Sequence, residues 1–574
     1  MKRKFLLLSI TSLFVLSGCQ FFDNVANFFK PNKNEQPEQQ EPAKDDNQSQ
    51  SQDLNIEEGE KVDFKQVGEF YGGVVINKDY TGYEFSKSQN KIEKPKSGVG
   101  EINIYAFNDF HGAVKQTDDE AGLKAIGTFY KEKSHEANTL ILDQGDTWQG
   151  SFESNYEYGA IVQDVFNYAG VSLRTVGNHD FDWGLSHLES ANNRKLGDDY
   201  IPTLAANVYD YANGVNGTTQ QSKYGKEYAI FTLDNGLKVG VVGVIGDSQI
   251  TSICSQLVDT VCFTDYLEKT YEISDYLRMK KACDVVILSA HEPASNMANS
   301  GLISSSPYSH KRYVDLILGG HSHSRSINTV GGVKSVQWDS NGQTTGLVTL
   351  KYDFENNCLL DNESRVTTFD TTYYRHNYIV TESTINTMVN NYLNVTEPIA
   401  SEVLSTNFSG YFNSTSLAYL MTEAIYEAVK TAGYEVEFAV SNSARTGFYG
   451  TSFTFGDLYK SFPFDNEIIL MDINSSTANN SLRRNMTYRE DTSISVDQFG
   501  HHRIAVIDYI GLHQNIDREY DYFPGAYNVE VFNPDPTTSA PIYRDILKDY
   551  LLKNPTKYFN SSDYTDSNPH FATN

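Results

Sequence analysis

The chain has 574 residues, of which 39% are hydrophobic and 21% charged, with a formal net charge of −28. That length accommodates two or three domains with separate cores. The acidic balance argues against a surface that coats nucleic acid. It would also repel a phosphorylated substrate unless a local cationic centre, such as a metal site, offset it.

In chain order, the first element is a targeting segment. Lys2, Arg3 and Lys4 form a basic start, and Phe5 to Leu16 is an apolar run too short to span a membrane. Leu16-Ser17-Gly18-Cys19 resembles a bacterial lipobox, which implies cleavage before Cys19 and lipidation of its sulfur. Residues 1–19 are therefore read as a lipoprotein signal peptide, and the mature chain as lipid-anchored on the extracytoplasmic face. Residues 20–66 are polar, and Gln36 to Asp53 carries no large apolar side chain, so this stretch reads as a disordered tether. The aromatic-bearing residues 61–100 are expected to pack as an extension on the next domain. Besides Cys19 there are Cys254, Cys262, Cys283 and Cys358, with no CxxC pair, which argues against a zinc ribbon. Their spacing fits either a Cys254–Cys262 disulfide or four thiols.

From Glu101 onward, buried-strand patterns alternate with helical ones. Strands are predicted at Ile102–Phe107, Thr139–Leu142, Val171–Val176, Val239–Ile245, Asp284–Leu288 and Val314–Leu318, with helices at Leu123–Lys133 and Ala160–Ala169 between them. This alternation predicts a layered α/β domain over 67–380. A linker helix is predicted over 381–395, and a smaller α/β unit over 396–574. In that unit the spacing predicts a helix over Thr415–Ala432, stopped by Gly433.

The residues that follow the strands carry the chemistry. They read Asn108-Asp109-Phe110-His111-Gly112, then Asp143-Gln144-Gly145-Asp146, then Gly177-Asn178-His179-Asp180-Phe181-Asp182, then Ser289-Ala290-His291, then Gly319-Gly320-His321-Ser322-His323. In open α/β sheets a site forms outside the carboxyl ends of the strands, so segments distant in sequence converge there. Asp, Asn and His offer a ligand set suited to Mn, Fe, Co or Zn. In an extended segment Asp109 and His111, like His321 and His323, would project to one side. Any one cluster could be an ordinary loop. Five of the 13 histidines falling at strand ends is a different matter.

These motifs, with Gly145-Asp-Thr-Trp-Gln-Gly-Ser151, Ala206-Asn-Val208 and Val241-Val-Gly-Val-Ile-Gly246, resemble the calcineurin-like metallophosphoesterases. More narrowly, they resemble the bacterial 5′-nucleotidase / 2′,3′-cyclic-nucleotide phosphodiesterase family. The resemblance implies a four-layer α/β/β/α catalytic domain followed by a smaller α/β substrate-binding domain. It implies two divalent metal ions, the first on Asp109, His111 and His323, the second on Asn178, His291 and His321, with Asp146 bridging. It also implies attack on phosphorus by a metal-bound hydroxide, with His179 and Asp182 as a catalytic dyad. Two metals in such sites clamp a phosphoryl oxygen at a separation of ~3.5–4 Å.

The C-terminal match is patchier. Phe455-Gly-Asp-Leu-Tyr459 and Pro463-Phe464-Asp465-Asn466 fit the family, but its Asn-Gly-Gly-Gly-Ile-Arg segment is replaced by Asn442-Ser-Ala-Arg445-Thr-Gly447. Gly447 stands where the arginine belongs, and Arg445 is the candidate replacement. Arg445, Phe464 and Asn466 are thus the candidate substrate-binding residues. Tyr509, Tyr522 and Phe523 read better as packing aromatics than as base-stacking ones. The resulting expectation is an extracytoplasmic hydrolase of 5′-nucleotides or 2′,3′-cyclic nucleotides. The alternatives are a hydrolase of another phosphate or sulfur ester, and a surface binding protein or adhesin on a phosphatase scaffold.

Overall fold

Strict alternation along the strand Val99–Phe107 sends Ile102, Ile104 and Ala106 to one face and Tyr105 and Phe107 to the other. A strand apolar on both faces needs a layer on each side. The computed structural model supplies both. It describes residues 79–86, 93–196, 200–211, 219–221, 223–494, 500–512 and 522–565. The predicted signal peptide with Cys19, and the tether predicted over 20–66, lie outside the described residues.

Val99–Phe107 is central in a sheet ordered Cys358–Leu359, Thr344–Asp353, Val99–Phe107, Thr139–Asp143, Leu173–Thr175, Thr203–Leu204. The last four strands run parallel, and Arg365–Asp370 also pairs with Thr344–Asp353. A second sheet is ordered Gly82–Ser86, Tyr228–Thr232, Lys238–Ile245, Val285–His291, Leu316–Leu318, Val333–Gln337, Ser326–Val330. In it Val285 and Ile287 face the first sheet, while Val286, Leu288 and Ala290 face outward. Helices Leu123–Lys133 and Ala160–Ala169 cover the first sheet and Tyr266–Met279 covers the second, which gives the expected α/β/β/α order. Gly82–Ser86 is an edge strand of the second sheet, parallel to Tyr228–Thr232.

Several bounds differ from the sequence reading. The strand predicted to stop at Leu288 continues through His291, in register with Ile245, so this histidine ends a strand rather than following one. The linker helix runs Ser383–Ala400, beyond the predicted end at 395. Tertiary packing accounts for the extra turn. Ile385 and Val389 enter the first domain's core, while Ala400 packs with Phe152 and Tyr459 at the junction with the second.

The C-terminal unit has its own core around a sheet ordered Thr487–Glu490, Phe438–Ser441, His501–Ile507, Ile468–Asn474, Tyr527–Val531. Helix Ser414–Thr431 packs on this sheet, and Gly433 follows it at φ +89°, the left-handed conformation that ends helices. Phe523 is fully buried in this core, and Tyr509 and Tyr522 pack against it. Cys283, buried, and Cys358, exposed, carry free thiols. No helix among the described residues is long and apolar enough to cross a membrane.

Asp508 in this unit gives a pH-linked expectation. It is 7% exposed, and burial pushes its carboxyl up to about 7. Raised above the unfolded value, it stabilises the fold while protonated, and that stability is lost as pH rises from about 4 to 7. Asp508→Asn should therefore gain stability over the parent above pH 7, by about 4 kcal/mol at most, and gain nothing below pH 4. Denaturant melts at pH 4 and 8 check it; equal differences at both would contradict it.

Candidate metal centre

The parallel strands of both sheets deliver their carboxyl ends to one edge. There Thr175 Oγ1 meets Ser289 Oγ at 2.8 Å, joining the two sheets. The turns beyond this edge bring the predicted ligands together as two groups. Asp109, His111 and His323 form one, and Asp146, His291 and His321 the other; within each, the ligand atoms lie within 4.8 Å of one another.

In the first group His111 Nε2 is 3.0 Å from His323 Nε2, and His323 Nε2 is 3.4 Å from Asp109 Oδ1. In the second, Asn178 Oδ1 is 3.1 Å from His291 Nε2 and 3.0 Å from His321 Nδ1. Asp146 Oδ2 lies between them, 3.8 Å from His111 Nε2 and 3.1 Å from His291 Nε2.

The backbone here departs from the extended form expected. Asp109, His111, Asp146, His321 and His323 have φ of +50°, +47°, +54°, +71° and +54°. Five of the twelve non-glycine positive-φ residues described are thus candidate ligands. Each chain segment curls as it leaves its sheet, and left-handed residues two apart still converge. Such conformations cost ~1–3 kcal/mol each and cluster at functional sites. Gly177 is required for a different reason. A Cβ there would come within 2.2 Å of Asp146 Oδ1.

The donor set fits divalent cations. His111 Nδ1 and His291 Nδ1 each lie 2.8 Å from a backbone carbonyl, of Gln149 and Gln144. Each Nδ1 therefore carries a proton, and each Nε2 is aimed at the cluster. Asp146 Oδ1 accepts from His179 N at 2.8 Å, while its Oδ2 is buried without a hydrogen-bond partner. A buried orphan carboxylate oxygen among imidazoles is a cation ligand in waiting.

Electrostatics follow from this crowding. Burial opposes ionisation of Asp109, but the charge and hydrogen bond of His323 hold its carboxyl below the usual range. Burial likewise opposes ionisation of Asp146, yet His291 and His179 keep it well below. Burial lowers His291, but Asp146 outweighs it and lifts His291 to about 10. Burial, then Arg445, pushes His111 well down, and burial with His291 pushes His321 to about 3.

His179 borders the cluster, with Nδ1 2.8 Å from Asp182 Oδ2. Burial raises the Asp182 carboxyl, against the pull of His179. The C-terminal unit contributes Arg445, whose Nη1 donates to His179 Nε2 at 3.0 Å and Nη2 to His111 Nε2 at 3.2 Å. Phe464 stacks on His179 with centroids 5.5 Å apart. Asn466 does not join them in the same way: it is buried, and its carbonyl accepts from Tyr543 N at 2.8 Å. The altered motif also has a steric reading. A Cβ at Gly447 would meet Phe412 O at 2.5 Å, so the position where the family's arginine aligns has no room for a side chain.

Sequence reasoning missed several supports. Asn108 donates to Asp109 Oδ2 at 2.6 Å and accepts from Trp338 N at 2.8 Å. Gln144 and Gln149 act through their carbonyls, which no side-chain pattern can signal. Arg174 and Asp180 form a buried ion pair of 2.9 Å behind the turn at Asn178. The signal for Arg174 was present, as a lone charge inside an apolar strand run.

A two-sheet sandwich with two His/carboxylate groups beyond its strand ends is the arrangement of a metallophosphoesterase. Residues 102–325 match the family model described as calcineurin-like phosphoesterase, and the chain carries a domain of that family. It is 24% identical over 408 residues to endonuclease YhcR of Bacillus subtilis (strain 168), covering 65% of this chain and 32% of that protein. It is 28% identical over 233 residues to a 5′-nucleotidase of Diplobatis ommata, covering 39% of this chain and 37% of that one. The matches thus span about a third of each relative's length. In fold, it resembles the 5′-nucleotidase precursor from Thermus thermophilus at a TM-score of 0.60 and 17% identity, covering 79% of this chain and 96% of that one.

Proposed function

We propose that this chain is an extracytoplasmic, dinuclear-metal hydrolase of phosphate esters, with 5′-nucleotides and 2′,3′-cyclic nucleotides as its substrate class. The observation that carries the reading is Asp146 Oδ2, buried, without a hydrogen-bond partner and shared between two groups of metal-ligating side chains. Asp109, His111 and His323 would hold one ion, and Asn178, His291 and His321 the other, with Asp146 common to both. Mn, Zn, Fe and Co all suit this nitrogen and oxygen set. Two such ions supply Lewis acidity toward a phosphoryl oxygen and bring the pKa of water near neutrality.

The chain's own residues do the rest. Asp182 accepts the Nδ1 hydrogen of His179 and so directs Nε2 toward the cluster; when Nε2 carries a proton instead of accepting from Arg445, it can donate that proton to a leaving oxygen or hydrogen-bond a phosphoryl oxygen. Arg445 adds a fixed cation beside that nitrogen, suited to a phosphoryl oxygen. Phe464 lines the same spot with an aromatic face. Relatives named as a 5′-nucleotidase and an endonuclease support phosphoester chemistry.

The test is hydrolysis of p-nitrophenyl phosphate, AMP and 2′,3′-cyclic AMP by the purified mature protein with Mn²⁺, with and without EDTA. Turnover that EDTA removes and Mn²⁺ restores is the expected result. An absence of metal-dependent turnover on all three would favour a surface binding protein instead. Membrane attachment through Cys19 belongs to the same proposal and rests on the lipobox-like sequence. Cys19→Ser should move the protein out of the membrane fraction; unchanged fractionation would refute the anchor.

A further inference from the structure

We infer that Arg174 is a positioning residue for the metal centre, a buried guanidinium that holds the turns bearing Asp146 and Asn178 in register. The inference rests on the reading of the cluster as a metal centre. Arg174 lies in the middle of the strand Leu173–Thr175 and is 1% exposed. The space could be filled by an apolar side chain without the desolvation cost of a buried charge, and replacing buried ion pairs in this way is often neutral or stabilising. What an apolar residue could not do is make the contacts that Arg174 makes.

Its Nη2 donates to Asp180 Oδ2 at 2.9 Å, and the same oxygen accepts from Gly177 N at 2.8 Å. That pair of bonds closes the turn Asn178–Phe181, which begins with one candidate ligand and continues with His179. Gly177 in turn lies against Asp146, too close for any side chain. The guanidinium carbon sits 3.8 Å over the Trp148 ring, and the next residue, Gln149, offers the carbonyl that orients His111. Nη1 reaches Asn192 Oδ1 at 3.3 Å, while Nε has no hydrogen-bond partner. Asp143, which opens the turn leading to Asp146, feels the Arg174 charge as well. One cation therefore reaches the supports of both ligand groups while touching neither. Partners of this kind orient ligands, and their loss typically costs ~10–100-fold in metal affinity.

The test uses the full mature protein, stripped with EDTA and titrated with Mn²⁺ by calorimetry, followed by kcat and KM over a series of Mn²⁺ concentrations. R174M/D180N removes both charges together and leaves an amide oxygen to accept from Gly177 N. R174K keeps the charge but loses the stacked fork. Both should bind Mn²⁺ ~10–100-fold more weakly than the parent. KM should stay unchanged, and kcat should recover in part as Mn²⁺ is raised. A merely structural pair would lower the active fraction and leave Mn²⁺ affinity alone. Parental Mn²⁺ affinity in R174K, or in the double variant, overturns the inference, and R174K decides it if the double variant does not fold. A parent that binds no Mn²⁺ overturns the metal-centre reading itself, which is a separate outcome.

Discussion

Asp146→Ala is expected to lose both bound metal and turnover. The side chain is 1% exposed, and its Oδ2 lies within 4 Å of a nitrogen from each ligand group. Removing it takes one oxygen from both centres at once and leaves His291 without the charge that now raises it. It also deprives His179 N of its acceptor, so the Asn178–Phe181 turn loosens. Metal catalysis of this kind is worth several kcal/mol of transition-state stabilisation. At 1.36 kcal/mol per decade, a fall of about 10³-fold or more in kcat/KM follows. Elemental analysis of the purified variant should find metal well below the parent's content. Parental metal content and rate together would show that Asp146 bridges nothing.

His179→Ala should give the opposite signature. His179 is not a member of either ligand group: its ring nitrogens meet Asp182 Oδ2 and Arg445 Nη1, and its faces and edge pack against Phe464 and the His111 ring. Metal content should therefore match the parent's. The lost proton transfer or phosphoryl contact should lower kcat by about 10²–10⁴-fold. Asp182→Asn should fall in the same direction by less, since an amide oxygen still accepts from Nδ1 and orients the ring. Full activity in His179→Ala would remove the dyad from the mechanism while leaving the metal centre untouched. The two variants thus separate metal binding from proton chemistry.

How far the molecule could be read beforehand depended on the range of the interactions involved. Helices Leu123–Lys133 and Ala160–Ala169 were legible to the residue because their apolar period is local. The strand through His291 was cut short because Ser289 and His291 look polar. Their burial comes from the neighbouring strand and from Asn178, over a hundred residues away. The left-handed backbone at Asp109 and His321 escaped notice because aspartate and histidine do not announce positive φ as glycine does. Arg445 looked like a misplaced motif residue. Its contacts with His179 and His111 bridge 266 and 334 positions, a relation no local pattern encodes.

The sequence by itself determined which chemical groups stand at the strand ends and in what order. Continuous apolar runs mark the buried strands, and the Asp, Asn and His clusters follow from simple position along the chain. Only the tertiary structure decided how those groups are shared. Two sheets must pack face to face before Asp109 and His321, 212 residues apart, come within hydrogen-bond distance, or before Asp146 falls between both groups. The same packing leaves Gly447 without room for a side chain and brings Arg445 to the cluster instead. Close packing of distant segments, which depends on every side chain between them, fixes those distances.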